Sequence, residues 1–355
     1  MKVNDTMKRY NNLMKKISDP NNIEIADNKA RKNKTHTYGV RQHDKDRNWE
    51  NFVLHLTLNN QTYTTSKYKI REIFEPKRRL IFKLPYWPDR IAHHAIMNIL
   101  EPIWTKVFIK NTYSCIKGRG INKLRKDLVK DLKKFPNETK YCLKLDIRKF
   151  YPLIDKDILK RDIIRRKIKD KQLLIILDEI IDSVNINNID VKNKKLLEEE
   201  HIIGGVPIGN YLSQFFANLY LAYFDHWVKE ELKCKFYYRY ADDMVILSNN
   251  KEFLHNVLVA IKLYLKHVLN LELKGNYQIF DVEIRGIDFV GYVFRHEYIK
   301  LRKSLKCKIK KLVYKYVHNK LSKESFEKSL ASYKGWLLYC NSRNFTRWIV
   351  NTTNH

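Results

Sequence analysis

A chain of 355 residues with 69 Lys and Arg against 39 Asp and Glu carries a formal net charge of +30. That excess is beyond what solubility requires and fits a polyanionic partner, nucleic acid above all. The length exceeds one ordinary core, so two or three lobes are expected. No apolar stretch approaches the roughly 18 residues of a membrane-spanning helix, and Met1-Lys2-Val3-Asn4-Asp5 leads into no signal-peptide core, so no membrane partner and a cytoplasmic location are expected. Cys115, Cys142, Cys234, Cys307 and Cys340 are scattered without zinc spacing and read as reduced packing residues. The 22 Tyr and 16 Phe suit base stacking or a core equally well.

In chain order, the first charged stretch of interest is Arg71-Glu72-Ile73-Phe74-Glu75-Pro76-Lys77-Arg78-Arg79-Leu80-Ile81. Its cations offer phosphate donors, with a solvated strand face as the alternative. His93-His94 is a poor metal pair, because adjacent helical residues diverge by about 100°, and reads instead as structural or RNA-facing. Tyr141 to Leu145 alternates like a half-buried strand, with Asp146 at its end. Asp155-Lys156-Asp157 opens an apolar-periodic helix through Ile158, Leu159, Ile163 and Ile164. Asn185 to Glu200, polar and rich in Asn and Lys, reads as a loop.

From Gly209 onward, Gly209, Ser213 and Ala217 recur every four residues, predicting a helix with one narrow face free of bulk. Leu212, Phe216, Leu219 and Tyr220 fall on a neighbouring core stripe. Farther on, Lys300, Arg302, Lys303, Lys306, Lys308, Lys310, Lys311 and Lys315 place cations on nearly every face of a predicted helix.

The most informative segment is Tyr240-Ala241-Asp242-Asp243 between the apolar, aromatic runs Phe236–Tyr240 and Met244–Leu247. Strand residues flanking a tight turn predict a hairpin with two adjacent carboxylates at its tip. Like charges repel there, unless a hard dication neutralises them. A two-metal site shares carboxylates between ions so as to stabilise attacking and leaving oxygens of a phosphoryl transfer. A solvated acidic turn is the alternative.

Asp146 with an aromatic five residues on, Gly204-Gly205-Val206-Pro207-Ile208-Gly209 with Ser213-Gln214 and Asn218, and Tyr240-Ala241-Asp242-Asp243 occur in the order and spacing of reverse-transcriptase palm motifs. Ile287-Asp288-Phe289-Val290-Gly291-Tyr292 resembles that family's primer-gripping hairpin. The resemblance extends to Arg71–Ile81, Pro88-Asp89-Arg90 and Ser332-Tyr333-Lys334-Gly335-Trp336. Within the family, Ile208 and Ser213-Gln214 resemble the diversity-generating retroelement enzymes and their defence-associated bacterial relatives. Met7 to Leu13 and Ala30-Arg31-Lys32 resemble the start of the former group. Ala241 departs from that group, where Met is commoner.

The resemblance implies an α+β, right-hand polymerase fold: residues 1–140 as fingers with part of the palm, 141–295 as catalytic palm and 296–355 as helical thumb. It implies an RNA-directed DNA polymerase in which Asp146, Asp242, Asp243 and the Ile147 backbone carbonyl hold two Mg²⁺ ions, with Mn²⁺ as a substitute. Arg78, Arg71, Lys77, Tyr151, Ile208 and Gly209 are then the dNTP-binding residues, Tyr151 as the aromatic gate against a ribose 2′-hydroxyl. Phe289, Gly291 and Tyr292 would grip the primer, and Lys303, Lys306, Lys310 and Lys334 would follow the nucleic-acid backbone. Expected partners are an RNA template, the DNA product, dNTPs, a dedicated structured non-coding RNA and a small basic accessory protein. The alternatives are a defence-associated reverse transcriptase and, more remotely, a non-catalytic RNA-binding scaffold.

Overall fold

The computed structural model describes residues 8–74, 78–189 and 204–353. Its longer elements in chain order begin with α1 (Pro20–Arg31), α2 (Arg47–Asn59), β1 (Lys69–Ile73), β2 (Arg79–Lys83), α3 (Ile91–Thr105), α4 (Ile121–Lys134) and β3 (Tyr141–Asp146). They continue with α5 (Lys171–Asp182), α6 (Tyr211–Tyr220), α7 (Ala222–Glu230), β4 (Phe236–Tyr240), β5 (Asp243–Ser248), α8 (Lys251–Leu269) and β6 (Gln278–Asp281). β7 (Ile287–Phe289), β8 (Tyr292–Phe294), β9 (Ile299–Leu301), α9 (Lys303–Val317), α10 (Lys323–Leu338) and α11 (Arg343–Thr353) complete the order.

The chain divides into two compact units, each drawn from discontinuous segments. The first takes the described residues up to Ile116 together with Ile147–Glu231 and Ile261–Leu273. In it, α1 starts where the Asp19 carboxylate accepts from the Asn21 N–H and Pro20 supplies the first helical φ, an arrangement that satisfies an otherwise unpaired donor. The antiparallel ribbon β1–β2 closes over a core of Tyr68, Ile70, Leu80, Phe82, Val184 and Ile189. Asp27, fully buried, is held by Arg31, Arg47, His43 and Tyr86. A buried carboxylate costs several kcal/mol unless paired in this way.

The second unit takes Lys117–Asp146, Leu232–Ala260 and the described residues from Lys274 onward. Its antiparallel sheet runs β4-β5-β3-β6, beside a three-stranded sheet β7-β8-β9. β5 is buried on both faces through Met244, Val245, Ile246 and Leu247, while β3 buries Cys142, Leu143 and Leu145 and leaves Lys144 and Asp146 partly exposed. α9, α10 and α11 share a separate small core of Ile309, Val313, Phe326, Leu337 and Ile349.

Some expectations shift. Gly209 does not lie on the predicted helix, which begins at Tyr211; its φ of +125° is non-helical, and an added Cβ would lie 2.7 Å from the Phe82 carbonyl oxygen. Ser213 and Ala217 are helical and buried as expected. The basic helix begins at Lys303, with Lys300 in β9 and Arg302 as N-cap. Within the predicted loop at 185–200, Asn185 caps a short 3-10 turn, Ile186–Asn188, and Ile189 bridges Tyr68. Residues 190–200, like Lys77 and Met7, lie outside the described residues.

Candidate active site

The β3–β5 register places Asp146 directly opposite Asp243. Directly opposed residues share a face of the sheet, with Cβ atoms about 4.5–5.5 Å apart. Tyr240 pairs with Asp243 across the adjacent hairpin, leaving Ala241 and Asp242 as its loop. Ala241 takes φ +55°, a left-handed conformation that costs an ordinary residue roughly 1–2 kcal/mol. The buried Arg239 guanidinium braces that turn, its Nη1 donating to the Ala241 carbonyl at 2.9 Å. The sequence therefore brings Asp146, Asp242 and Asp243 together from a strand end and a hairpin tip.

Cations ring the carboxylates. Lys274 Nζ donates to Asp146 Oδ2, and the Lys274 backbone N–H donates to the Asp146 carbonyl at 2.8 Å. Lys144 Nζ reaches the Asp288 carbonyl, while Arg302 pairs with the Asp288 carboxylate. Burial, then the charges of Asp146 and Asp243, push the Asp242 carboxyl up to about 6, against the pull of Lys274. Burial also raises Asp243, with Asp146 acting in the same sense and Lys144, Arg302 and Lys274 opposing. These are half-buried acids short of positive charge.

Asp146 Oδ1 is buried without a hydrogen-bond partner among the described residues. An orphaned carboxylate oxygen beside two acids with raised pKa values is an oxygen donor set suited to a hard dication. Among the described residues, no three His, Cys, Asp or Glu side chains already converge as a metal cluster. Ile147 is fully buried and bridges Leu273.

The other sequence candidates distribute between the units. In the first, Gly205 (φ +67°) lets the 204–210 segment press onto Tyr151, where an added Cβ would lie 2.2 Å from the Tyr151 carbonyl oxygen. The Val206 N–H donates to that carbonyl at 3.0 Å, and the Phe82 N–H donates to the Ile208 carbonyl at 2.8 Å. Tyr151, Ile208, Gly209 and β2 are thereby gathered into one neighbourhood. Arg71 is exposed on β1, and Arg78 pairs with Glu72.

In the second unit, the expected hairpin forms between β7 and β8. Phe289 and Tyr292 are core side chains, and Gly291 (φ +89°) makes room for Trp336. Lys303, Lys306, Lys310 and Lys334 are exposed. Lys306 Nζ lies 5.0 Å from the centre of the Phe345 ring and Lys310 Nζ 5.6 Å from that of Trp348.

Sequence reasoning missed Lys274, Lys144 and Arg239. Lys144 was detectable as the residue two before Asp146, on the same strand face, and Arg239 as a lone charge within an apolar strand. Lys274 follows Asp146 by 128 residues and left no local signal.

The family model described as "Reverse transcriptase (RNA-dependent DNA polymerase)" matches residues 73–282. That range contains Asp146, Tyr151, Asp242 and Asp243. Among curated proteins none matches the sequence. Among solved structures, apo telomerase from Candida tropicalis is similar at 14% identity and a TM-score of 0.46, over 82% of this chain and 62% of that one. Telomerase from Candida albicans in complex with a fragment of telomeric RNA is similar at 12% identity and a TM-score of 0.43, over 86% and 64%. The chain thus spans less than two thirds of the length of either telomerase chain.

Proposed function

As the chain belongs to the reverse transcriptase family, with that family's α+β right-hand polymerase fold, we propose that it is an RNA-directed DNA polymerase, a nucleotidyltransferase that copies an RNA template from dNTPs. The observation that supports this most is the cross-strand pair Asp146 and Asp243 beside Asp242, a carboxylate cluster in which the raised pKa values of Asp242 and Asp243 call for cations. In this reading Asp146, Asp242, Asp243 and the Ile147 carbonyl would hold two Mg²⁺ ions. When bound, such ions would supply the positive charge that nucleotidyl transfer needs at the attacking 3′-oxygen and the leaving pyrophosphate. Mn²⁺ serves as a substitute.

Tyr151 packs under the sugar and excludes a 2′-hydroxyl. Arg78, with Arg71 and Lys77, takes the triphosphate through guanidinium and ammonium donors. Because Phe289 and Tyr292 are buried, their contribution to primer grip is to fix the backbone of the turn at Val290-Gly291. Lys303, Lys306, Lys310 and Lys334 meet template–primer phosphates through salt-sensitive contacts. The lobes at 1–140, 141–295 and 296–355 serve as fingers, palm and thumb.

The finer reading is the error-prone enzyme of a diversity-generating retroelement, supported by Ile208 and Ser213-Gln214. It works in the cytoplasm with a dedicated structured RNA and a small basic accessory protein. A defence-associated role is the alternative, and the gene neighbourhood separates the two. The test of the activity is dNTP incorporation on an RNA template in Mg²⁺ by the wild type and Asp242→Asn. The substitution abolishes synthesis while RNA affinity stays within about twofold, because it removes a metal ligand but no phosphate contact. Equal incorporation by both proteins would refute the metal assignment, and none by either would leave the scaffold reading.

A further inference from the structure

In the first unit, apart from the residues used above, Lys29, Lys34, Arg90, His93 and His94 gather where α1 and the segment after it meet the start of α3. Arg90 has helical dihedrals, so Arg90, His93 and His94 stand at i, i+3 and i+4 on one helical face. Lys29 is fixed to α3, its Nζ donating to Asn98 Oδ1 at 2.6 Å. The Lys34 peptide is fixed as well: its N–H donates to the Arg31 carbonyl at 2.8 Å, and its carbonyl accepts from the Thr37 N–H at 2.9 Å. The His94 ring lies 4.7 Å from that of Tyr211. His93 is 3% exposed and its Nε2 has no hydrogen-bond partner among the described residues.

The nearby acids are committed elsewhere. Asp27 and Asp44 pair with Arg31, Asp89 accepts from Tyr63 and Ser66, and Glu101 accepts from Tyr211. No ion pair reaches Lys34, Arg90 or His94 among the described residues. Burial and then the charges of Lys34, Arg90 and Lys29 hold His94 down at about 4. Burial, His94 and Arg90 hold His93 at about 3, and burial and Arg90 lower Lys34. Lys34 and Arg90, both half-exposed, thus share one neighbourhood with Lys29 and no paired acid among the described residues, an arrangement that suits an anion.

We infer that Lys34, Arg90 and His94, with Lys29 at the rim and His93 as the floor, form a phosphate-binding site that takes a phosphate group of an RNA strand. Arg90 supplies a planar fork of donors and Lys34 a point charge. The imidazole of His94 can donate an N–H hydrogen bond to the anion without being charged. The inference rests on the polymerase reading for the identity of the strand, not for the existence of the site.

The test is fluorescence anisotropy with two short single-stranded RNAs of one sequence, one with a 5′-phosphate and one with a 5′-hydroxyl. The wild type, Lys34→Gln and Arg90→Gln are titrated across a salt series, with Arg90→Lys as the charge-preserving control. Each neutral variant is expected to bind about five- to tenfold more weakly and to flatten the dependence of log affinity on log salt by about 0.7, the value for one contact to a single strand. Arg90→Lys should recover much of the affinity. Loss confined to the 5′-phosphorylated RNA identifies a terminal phosphate, and equal loss on both identifies a backbone phosphate. Unchanged affinity and salt slope in both neutral variants, with wild-type melting temperatures, would overturn the inference. dNTP incorporation on a saturating pre-annealed template is measured in parallel. It should persist in the variants, so absence of synthesis in the wild type would count against the polymerase reading and leave the phosphate site to be judged by the binding data.

Discussion

Lys274 is tied to Asp146 twice, through its ammonium on the carboxylate and its backbone N–H on the carbonyl. The backbone bond positions the residue, and the ammonium neutralises one member of a crowded acidic cluster. In the proposed function that ammonium would compete with a metal ion for the same oxygen. Both partners are partly exposed, so the ion pair is worth at most about 1 kcal/mol.

Lys274→Met should therefore raise Mg²⁺ affinity by up to about fivefold, the equilibrium equivalent of that energy. In metal-free buffer the same change should lower the melting temperature, because Asp146, Asp242 and Asp243 then repel one another without relief. Added Mg²⁺ should restore it. Thermal melts across a Mg²⁺ series read both effects, and a variant whose midpoint responds to Mg²⁺ as the wild type does would show that the ammonium does not compete.

Tyr151→Ala should relax sugar discrimination. The ring is half-buried against Phe150, while its backbone carbonyl holds Val206; truncation removes the ring and leaves that backbone bond. The rNTP-to-dNTP incorporation ratio should rise by an order of magnitude or more, with a smaller change in dNTP incorporation. An unaltered ratio would assign the ring to packing alone.

What could be read beforehand was local. The hairpin at 240–243 follows from strand-forming residues on both sides of a tight turn, and the strand ending at Asp146 follows from its alternation. The cross-strand partnership of Asp146 with Asp243 required a register that local patterns do not determine. Gly209 was misplaced because four-residue spacing of small side chains is shared by a helix face and by a loop that presses onto a strand. Only the approach of the Phe82 carbonyl separates the two. Lys274, and the meeting of Lys34 with Arg90 and His94, are tertiary and had no signature in the neighbouring sequence.

His43 and Asp27 give the first unit opposite pH sensitivities. Burial lowers the His43 pKa, but hydrogen bonds and charges from Asp27 and Glu50 raise it further, to a value above the usual 6.5. Its stabilisation is fully present below the unfolded value and is lost as pH rises through the folded one. Burial acts to raise Asp27, yet hydrogen bonds from His43, Tyr86 and Arg47 hold it well below the ordinary 3.8. Its contribution is present above the unfolded value and disappears as pH falls toward the depressed one. The melting temperature should decline from about pH 6 upward in the wild type and decline less in His43→Gln. Parallel profiles for the two proteins would exclude His43 as the source.

Ile208→Gln should lower misincorporation opposite template adenine. The resemblance to the diversity-generating retroelement enzymes implies frequent misincorporation opposite template adenine and an Ile208 that stands where accurate reverse transcriptases would have a Gln in contact with nucleotide or template, so that shape alone would be left to discriminate. The structure makes the substitution clean: the Ile208 carbonyl is engaged by the Phe82 N–H at 2.8 Å, so the segment keeps its docking on β2 whichever side chain it carries. The side chain itself is partly exposed. One added hydrogen bond is worth roughly 0.5–1.5 kcal/mol, or a few-fold to about tenfold in selectivity. Both enzymes are to copy one RNA template at matched nucleotide concentrations, with error frequencies at adenine compared with those at the other bases by sequencing. A wild type already accurate at adenine would remove the main support for the retroelement reading and favour the defence-associated one. An error-prone wild type that Gln leaves unchanged would preserve the enzyme class and withdraw the role given to Ile208.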